Sequence, residues 1–178
     1  MNPYSLSELR SAGRIHNFSG RVNSINEAKA MRWRTAFLCH SHKDRDAALG
    51  LKSLLESQGA SLYIDWLDEE MPETPNQETA KRIRTKIVDS DLFLFLATPN
   101  SMASRWCPWE IGYADGKKPI DSIFIVPTKD DSGHYYGNEY LQLYRRLEAS
   151  TLQNFSSRPV SPLVMRPGQY SGVPVQQL

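Results

Sequence analysis

Residues 104–110 read SRWCPWE, in which two tryptophans, a cysteine and a proline crowd one carboxylate, Glu110. Four positions separate Trp106 from Glu110, which on a helix stacks both side chains on one face. Pro108 is tolerated only in a first turn, where its missing N–H leaves no bond unmade. A helix is therefore expected from about Ser104 to Ala114, with Glu110 one turn inside it. Two effects then act on the glutamate in opposite senses. The positive end of the helix favours the carboxylate, and apolar indole walls favour the acid. The residues alone allow either a tuned, chemistry-bearing carboxyl or a glutamate that complements the helix dipole beside two core tryptophans.

A second stretch with chemical potential is HSHKD, residues 40–44. His40 and His42 are two apart, a spacing that can share a metal ion. A dinuclear hydrolase of that pattern needs a further histidine straight after the aspartate, where Arg45 stands. Only His16 and His134 remain elsewhere, so no metal site is expected. Two readings stay open. One is a polar strand-to-helix turn capped by Ser41, with Asp44 facing back as in a capping box. The other is a loop whose amides and side chains hold a phosphate at a helix N-terminus. Cys107 at a helix start has the position of a nucleophile, but no histidine lies near it in sequence and a structural thiol is expected. Asp65, Asp68, Glu69 and Glu70 form an acidic patch suited to a cation, to ribose hydroxyls or simply to solvent. Lys81, Arg82, Arg84 and Lys86 read as a solvated basic face.

Such residues need elements to hold them. Thr35–Cys39 is a short apolar run and reads as a buried strand, followed by a helix with leucines at 51, 54 and 55 that Gly59 stops in a left-handed conformation. Ser61–Ile64 is the second strand. Thr74-Pro75-Asn76-Gln77 reads as a helix start with proline at its first position, and Ala80, Ile83 and Ile87 give that helix its buried stripe. Leu92–Ala97, LFLFLA, has no polar alternation, so both its faces must be covered, the mark of a central parallel strand. Ile123–Val126 reads as the fourth strand, Tyr140–Leu147 as a helix, Pro162–Met165 as a short fifth strand, and Pro167–Leu178 as irregular. Strands alternating with helices imply an open α/β sheet of five parallel strands, flavodoxin-like, with helices on both faces. Ligands of such sheets bind beyond the carboxyl ends of the strands. SRWCPWE and HSHKD both follow strands there. The expected division is an N-terminal arm with one or two short helices over 1–33, a domain over 34–150 and an extension over 151–178.

The chain has 178 residues and a formal charge of +1, so nothing draws it globally to nucleic acid or anionic lipid. Its longest apolar run is far short of a membrane span, and MNPYSLSELR lacks the apolar segment of a secretory signal. Two cysteines make no disulfide framework. A cytoplasmic location is the expectation.

In order and spacing, AFLCHSHKD, LYIDW, LFLFLATPNS and SRWCPWEIGYADGKK resemble a TIR domain over about residues 34–130. SRWCPWE is the most specific piece, resembling the Ser-x-Trp-Cys-x-x-Glu tract of catalytic TIR domains and the Trp-x-x-x-Glu spacing of bacterial ones. The segment after LYIDW, LDEEMPETPNQE, departs from the family in having no glycine. The resemblance implies that Glu110 is the catalytic residue for cleaving NAD and that Trp106 shapes the pocket. It also implies substrate contacts from His40, Ser41, His42, Trp66 and Asn100. NAD is then the substrate and no cofactor or metal is needed. A stand-alone chain of this size resembles the sensor enzyme of Thoeris-type antiphage systems. That implies an ADP-ribose-derived signal, linear or cyclic, that reaches a separate effector, and self-assembly through TIR–TIR contacts.

One carboxylate is enough for this chemistry. Nicotinamide leaves NAD as a neutral ring from a cationic one and needs no proton, so the carboxylate has only to hold the ribose and stabilise the oxocarbenium-like transition state. Two alternatives are a TIR module that only scaffolds, which would tolerate loss of Glu110, and an enzyme like the nucleoside deoxyribosyltransferases, which would use Glu110 as a nucleophile on free nucleosides.

Overall fold

Apolar runs and helical stripes alternate along the chain, and the computed structural model turns them into alternating strands and helices. It describes residues 2–15, 25–68, 71–72, 74, 76–136, 139–149, 163–165 and 173–174. In chain order the elements are β1 (Tyr4–Ser5), α1 (Leu6–Ile15), α2 (Ile25–Ala30), β2 (Arg34–Cys39), α3 (Arg45–Glu56), β3 (Ala60–Tyr63), α4 (Gln77–Asp89), β4 (Leu92–Ala97), α5 (Pro99–Met102), α6 (Cys107–Asp115), β5 (Ile123–Lys129), β6 (Tyr135–Tyr136), β7 (Arg145–Glu148), β8 (Leu163–Met165) and β9 (Val173–Pro174).

The run LFLFLA is β4, the centre of a parallel set in the order β3-β2-β4-β5-β7. Side chains alternate across it. Leu94 and Leu96 pack with Ala36, Leu38, Leu51, Leu55, Phe124 and Val126 under α1 and α3. Phe93 and Phe95 pack with Phe37, Cys39, Ile83, Ile87, Ile111 and Ile125 under α2, α4 and α6. Phe37 stacks on Phe93 with ring centres 5.7 Å apart. Helices thus cover both faces, which is why β4 needs no polar residue. Truncating a ring so enclosed, Phe93→Ala for example, costs about 3–5 kcal/mol.

Three local expectations change. The fifth parallel strand is β7, not Pro162–Met165, and the helix expected over Tyr140–Leu147 is a 3-10 turn, Glu139–Leu143, that runs into it. The apolar residues Leu141, Tyr144 and Leu147 are three apart, a spacing that a 3-10 turn entering a strand buries as well as an α-helix does. Leu163–Met165 is a strand, but it runs antiparallel to β7, and β9 from the segment read as irregular pairs with it in turn. Pro162 and most of Pro167–Leu178 lie outside the described residues. Helix α4 begins after Pro75 and not with it: Asn76 caps it, its Oδ1 accepting from the amides of Glu78 and Thr79 while Thr79 Oγ1 accepts from the Asn76 amide. Gly59 does adopt the left-handed conformation, φ +80°.

The N-terminal segment holds the two short helices expected of it, and the first is packed into the domain. β1 pairs with the carboxyl end of β5, Tyr4 opposite Thr128. α1 crosses α3 where Gly13 meets Gly50. A Cβ on Gly13 would stand 1.9 Å from the Asp46 carbonyl oxygen, and one on Gly50 would stand 2.0 Å from that of Leu9. Only glycine permits that approach. Among the described residues no helix is long and apolar enough to cross a membrane.

Candidate active site

The turns after β2, β3 and β4 and the start of α6 gather at the carboxyl edge of the sheet. Strand alternation sends consecutive residues of β2 to opposite faces. Cys39 therefore packs beneath α6, and His40 turns to the other side, where it meets Trp66 from the turn after β3.

His40 is 7% exposed and uses both ring nitrogens. Nδ1 donates to the Leu38 carbonyl at 3.1 Å, and Nε2 accepts from the indole N–H of Trp66 at 2.8 Å. That pairing fits the neutral ring, and burial pushes the His40 pKa below its ordinary value. The guanidinium of Arg45 lies over the Trp66 ring, 4.2 Å from its centre. His42 is exposed, and its Nε2 hydrogen-bonds Asp65 Oδ2 at 3.1 Å. That bond raises the His42 pKa. At Asp65, burial works to raise the pKa, but the bond from His42, the two neighbouring imidazoles and the Trp66 amide together hold it below the ordinary value. Asp68 of the acidic patch also has definite partners, accepting from the Tyr63 hydroxyl at 2.6 Å and pairing with Lys86 at 3.1 Å. Glu69 and Glu70 lie outside the described residues. Among those described, no three His, Cys, Asp or Glu side chains group as metal ligands.

Ser41 caps a 3-10 turn at His42–Asp44, its Oγ accepting from the Lys43 amide at 3.4 Å. Asp44 does not face back to complete a capping box. Its carboxylate is buried and crosses to the turn after β4, where it accepts from Thr98 Oγ1 at 2.6 Å and from Asn100 Nδ2 at 2.8 Å. Asn100 is thereby tied to the turn that carries His40, Ser41 and His42.

Ser104 opens α6, its hydroxyl accepting from the amides of Trp106 and Cys107 at 3.1 and 3.3 Å, with Pro108 in the first turn. Glu110 follows one turn in and is 6% exposed. Trp106 and Trp109 meet edge to face at 5.5 Å and remain 36% and 37% exposed. They are surface rings, not the core tryptophans of the dipole-complement reading. Two thiols and the Asp65 carboxylate act on the Glu110 carboxyl. Cys39 Sγ is 3.8 Å from the Cys107 carbonyl oxygen, and both cysteines are fully buried. Burial pushes the Glu110 pKa well above the usual carboxylate range, and Cys107 and the Asp65 carboxylate push it further. The Cys39 thiol opposes them. The contest between helix end and dry wall is won by the wall. Cys39 was not singled out as a site residue by its type; its signal is its place at the end of a buried strand. Asp65 was legible only as part of an acidic patch, because its partner His42 is 23 residues away.

The structure brings the seven residues singled out from the sequence to one edge, on two sides. His40, His42 and Trp66 form one cluster, and Asn100 joins it through Asp44. Glu110 stands on α6 and Trp106 at its N-cap, and the Cys39 thiol at the end of β2 reaches the Cys107 carbonyl of α6.

A family model described as the TIR domain matches residues 36–158. A curated relative from Bacillus cereus (strain MSX-D12), described as "Probable 3' cyclic ADP-D-ribose synthase ThsB'", is 34% identical over 126 residues, 70% of this chain. The match covers 65% of that relative's own length. Sheet order, the turns at its carboxyl edge and the family match agree, and the chain belongs to the TIR domain family.

Proposed function

We propose that this chain cleaves the bond between nicotinamide and ribose in NAD, with Glu110 as the catalytic carboxylate. The observation that carries this reading is the position of Glu110: a carboxyl 6% exposed, one turn inside α6 at the ligand edge of the sheet, among thiols. The description of the relative, a synthase of cyclic ADP-ribose, supports the substrate class.

The chemistry follows from that environment. As the bond from C1′ to the pyridinium nitrogen breaks, its electron pair goes to the ring, which departs neutral. Positive charge develops on the ribose. A carboxylate fixed in a poorly hydrated wall stabilises that charge more strongly than one in water. The raised pKa does not prevent this. Bound NAD brings its own pyridinium cation toward Glu110, and an adjacent positive charge favours ionisation. Capture of C1′ by water yields ADP-ribose and a proton; capture by a nucleophile of the same molecule yields a cyclic product and a proton. Ser41 and His42, half-buried and exposed at the same edge, are the proposed contacts for diphosphate or ribose, and Trp66, His40, Asn100 and Trp106 complete the proposed substrate set. No cofactor takes part. In the cell this reading makes the chain a cytoplasmic signal-maker of antiphage defence, self-assembling and acting on a separate effector through its product.

Incubating NAD with concentrated protein, with and without material from infected cells, tests the reading by chromatography and mass spectrometry. The expected result is nicotinamide equal to the NAD lost, with a product of the mass of ADP-ribose or of that mass less one water. Protein that leaves NAD intact under both conditions while exchanging the base of a deoxynucleoside overturns it.

A further inference from the structure

The first helix lies outside the matched segment 36–158, yet one of its side chains reaches the turn that carries three of the proposed substrate contacts. Arg10 Nη2 is 3.6 Å from Asp44 Oδ1. The Asp44 side chain is fully buried, and the Arg10 side chain is 42% exposed. Thr98 and Asn100 supply Asp44 with hydrogen bonds, and Arg10 supplies the opposite charge that a buried carboxylate requires. The Asp44 amide in turn closes the turn on the Ser41 carbonyl at 2.8 Å. α1 is firmly seated, by the backbone contact of Gly13 with Gly50, by buried Leu6 and Leu9, and by β1 on β5.

We propose that α1 braces the candidate site through Arg10: the guanidinium holds the Asp44 carboxylate, and Asp44 fixes the turn bearing His40, Ser41 and His42 against α5, which bears Asn100. Arg10 is thus a positioning residue, and its activity readout rests on the NAD-cleaving reading. Arg14, one turn along, provides the contrast. It pairs with Asp46 at 2.7 Å across the same helix contact, with side chains 69% and 42% exposed. Among the described residues, neither side chain of that pair bonds to the site's turns.

The test uses the full chain with Arg10→Ala, Arg10→Lys, Arg14→Ala, Asp44→Asn and the double variant Arg10→Ala/Asp44→Asn. Arg10→Ala is expected to lower kcat about tenfold with a smaller change in KM, the scale of a sub-ångström misplacement of reacting groups. Amide exchange should quicken at Asp44, Thr98, Asn100 and Ser101. Arg10→Lys should recover part of the loss, Arg14→Ala should match wild type, and Arg10→Ala should add nothing in the Asp44→Asn background. Arg10→Ala with wild-type kcat and exchange overturns the brace, as does Arg14→Ala losing as much. If wild-type protein consumes no NAD, the functional reading fails, and exchange alone decides. Local quickening in Arg10→Ala and not in Arg14→Ala upholds the brace, and unchanged exchange removes it.

Discussion

His40 and Glu110 are buried to nearly the same degree, 7% and 6% exposed, and they are treated in opposite ways. His40 commits both ring nitrogens to partners, the Leu38 carbonyl and the Trp66 indole, and is held neutral. At Glu110, the Cys39 thiol favours the charge against burial, Cys107 and Asp65. The first side of the edge is a scaffold in which polar groups are satisfied. The second holds a carboxyl short of the bonds that would stabilise its charge. A buried polar group with its partners contributes rigidity, whereas one without them stays responsive to what arrives. On the proposed reading, the cation that arrives is the substrate's.

Breaking the second side should cost activity and little stability. Glu110→Gln keeps the shape and removes the charge. NAD turnover is expected to fall at least about a hundredfold, mainly in kcat, the usual scale for one preorganised electrostatic group. Stability should hold or rise at neutral pH. A folded-state pKa above the unfolded value means that stability is lost as pH rises from the unfolded toward the folded value, and glutamine removes that penalty. Steady-state kinetics and urea unfolding of the same preparation check both halves; equal turnover in variant and wild type would remove the catalytic assignment.

The scaffold side should show the reverse pattern. Trp66→Phe keeps a ring for Arg45 and deletes the donor to His40 Nε2. Leaving that buried nitrogen unpaired is expected to cost about 1–3 kcal/mol in denaturant unfolding, with turnover reduced by less than in Glu110→Gln. A smaller effect sharpens the pKa balance itself. Cys39→Ala removes the thiol that favours the Glu110 carboxylate, so the rising limb of kcat/KM against pH should move to higher pH. A limb that stays in place would show that the thiol does not tune the carboxyl.

The smallest effect lies at the exposed rim. The raised His42 pKa means a stabilisation present below the ordinary histidine range and lost as pH rises through the folded value. The lowered Asp65 pKa means one present above its ordinary range and lost as pH falls through its folded value. Their pair therefore contributes most between the two, and with the His42 side chain 67% exposed it contributes no more than about 1 kcal/mol. Thermal unfolding of His42→Gln at about pH 5.5 and 8.5, either side of the histidine range, should lack that increment of alkaline loss seen in wild type.

What the sequence determined by itself is whatever repeats over a few residues. The apolar run of β2, the unbroken run of β4, the stripe of α4, Gly59 and the placement of Glu110 two residues after Pro108, at the start of a helix, are all local periodicities or local backbone constraints. What only the tertiary structure decided depends on partners far along the chain. Asp44 reads locally as a capping residue, but its donors are 54 and 56 residues away. Tyr140–Leu147 reads locally as a helix, but an open edge beside β5 takes its second half as a strand. The state of Glu110 could not be read at all, because helix dipole and burial oppose each other and burial is a property of the assembled wall. A side chain's period is written in its neighbours in sequence; its charge is set by its neighbours in space.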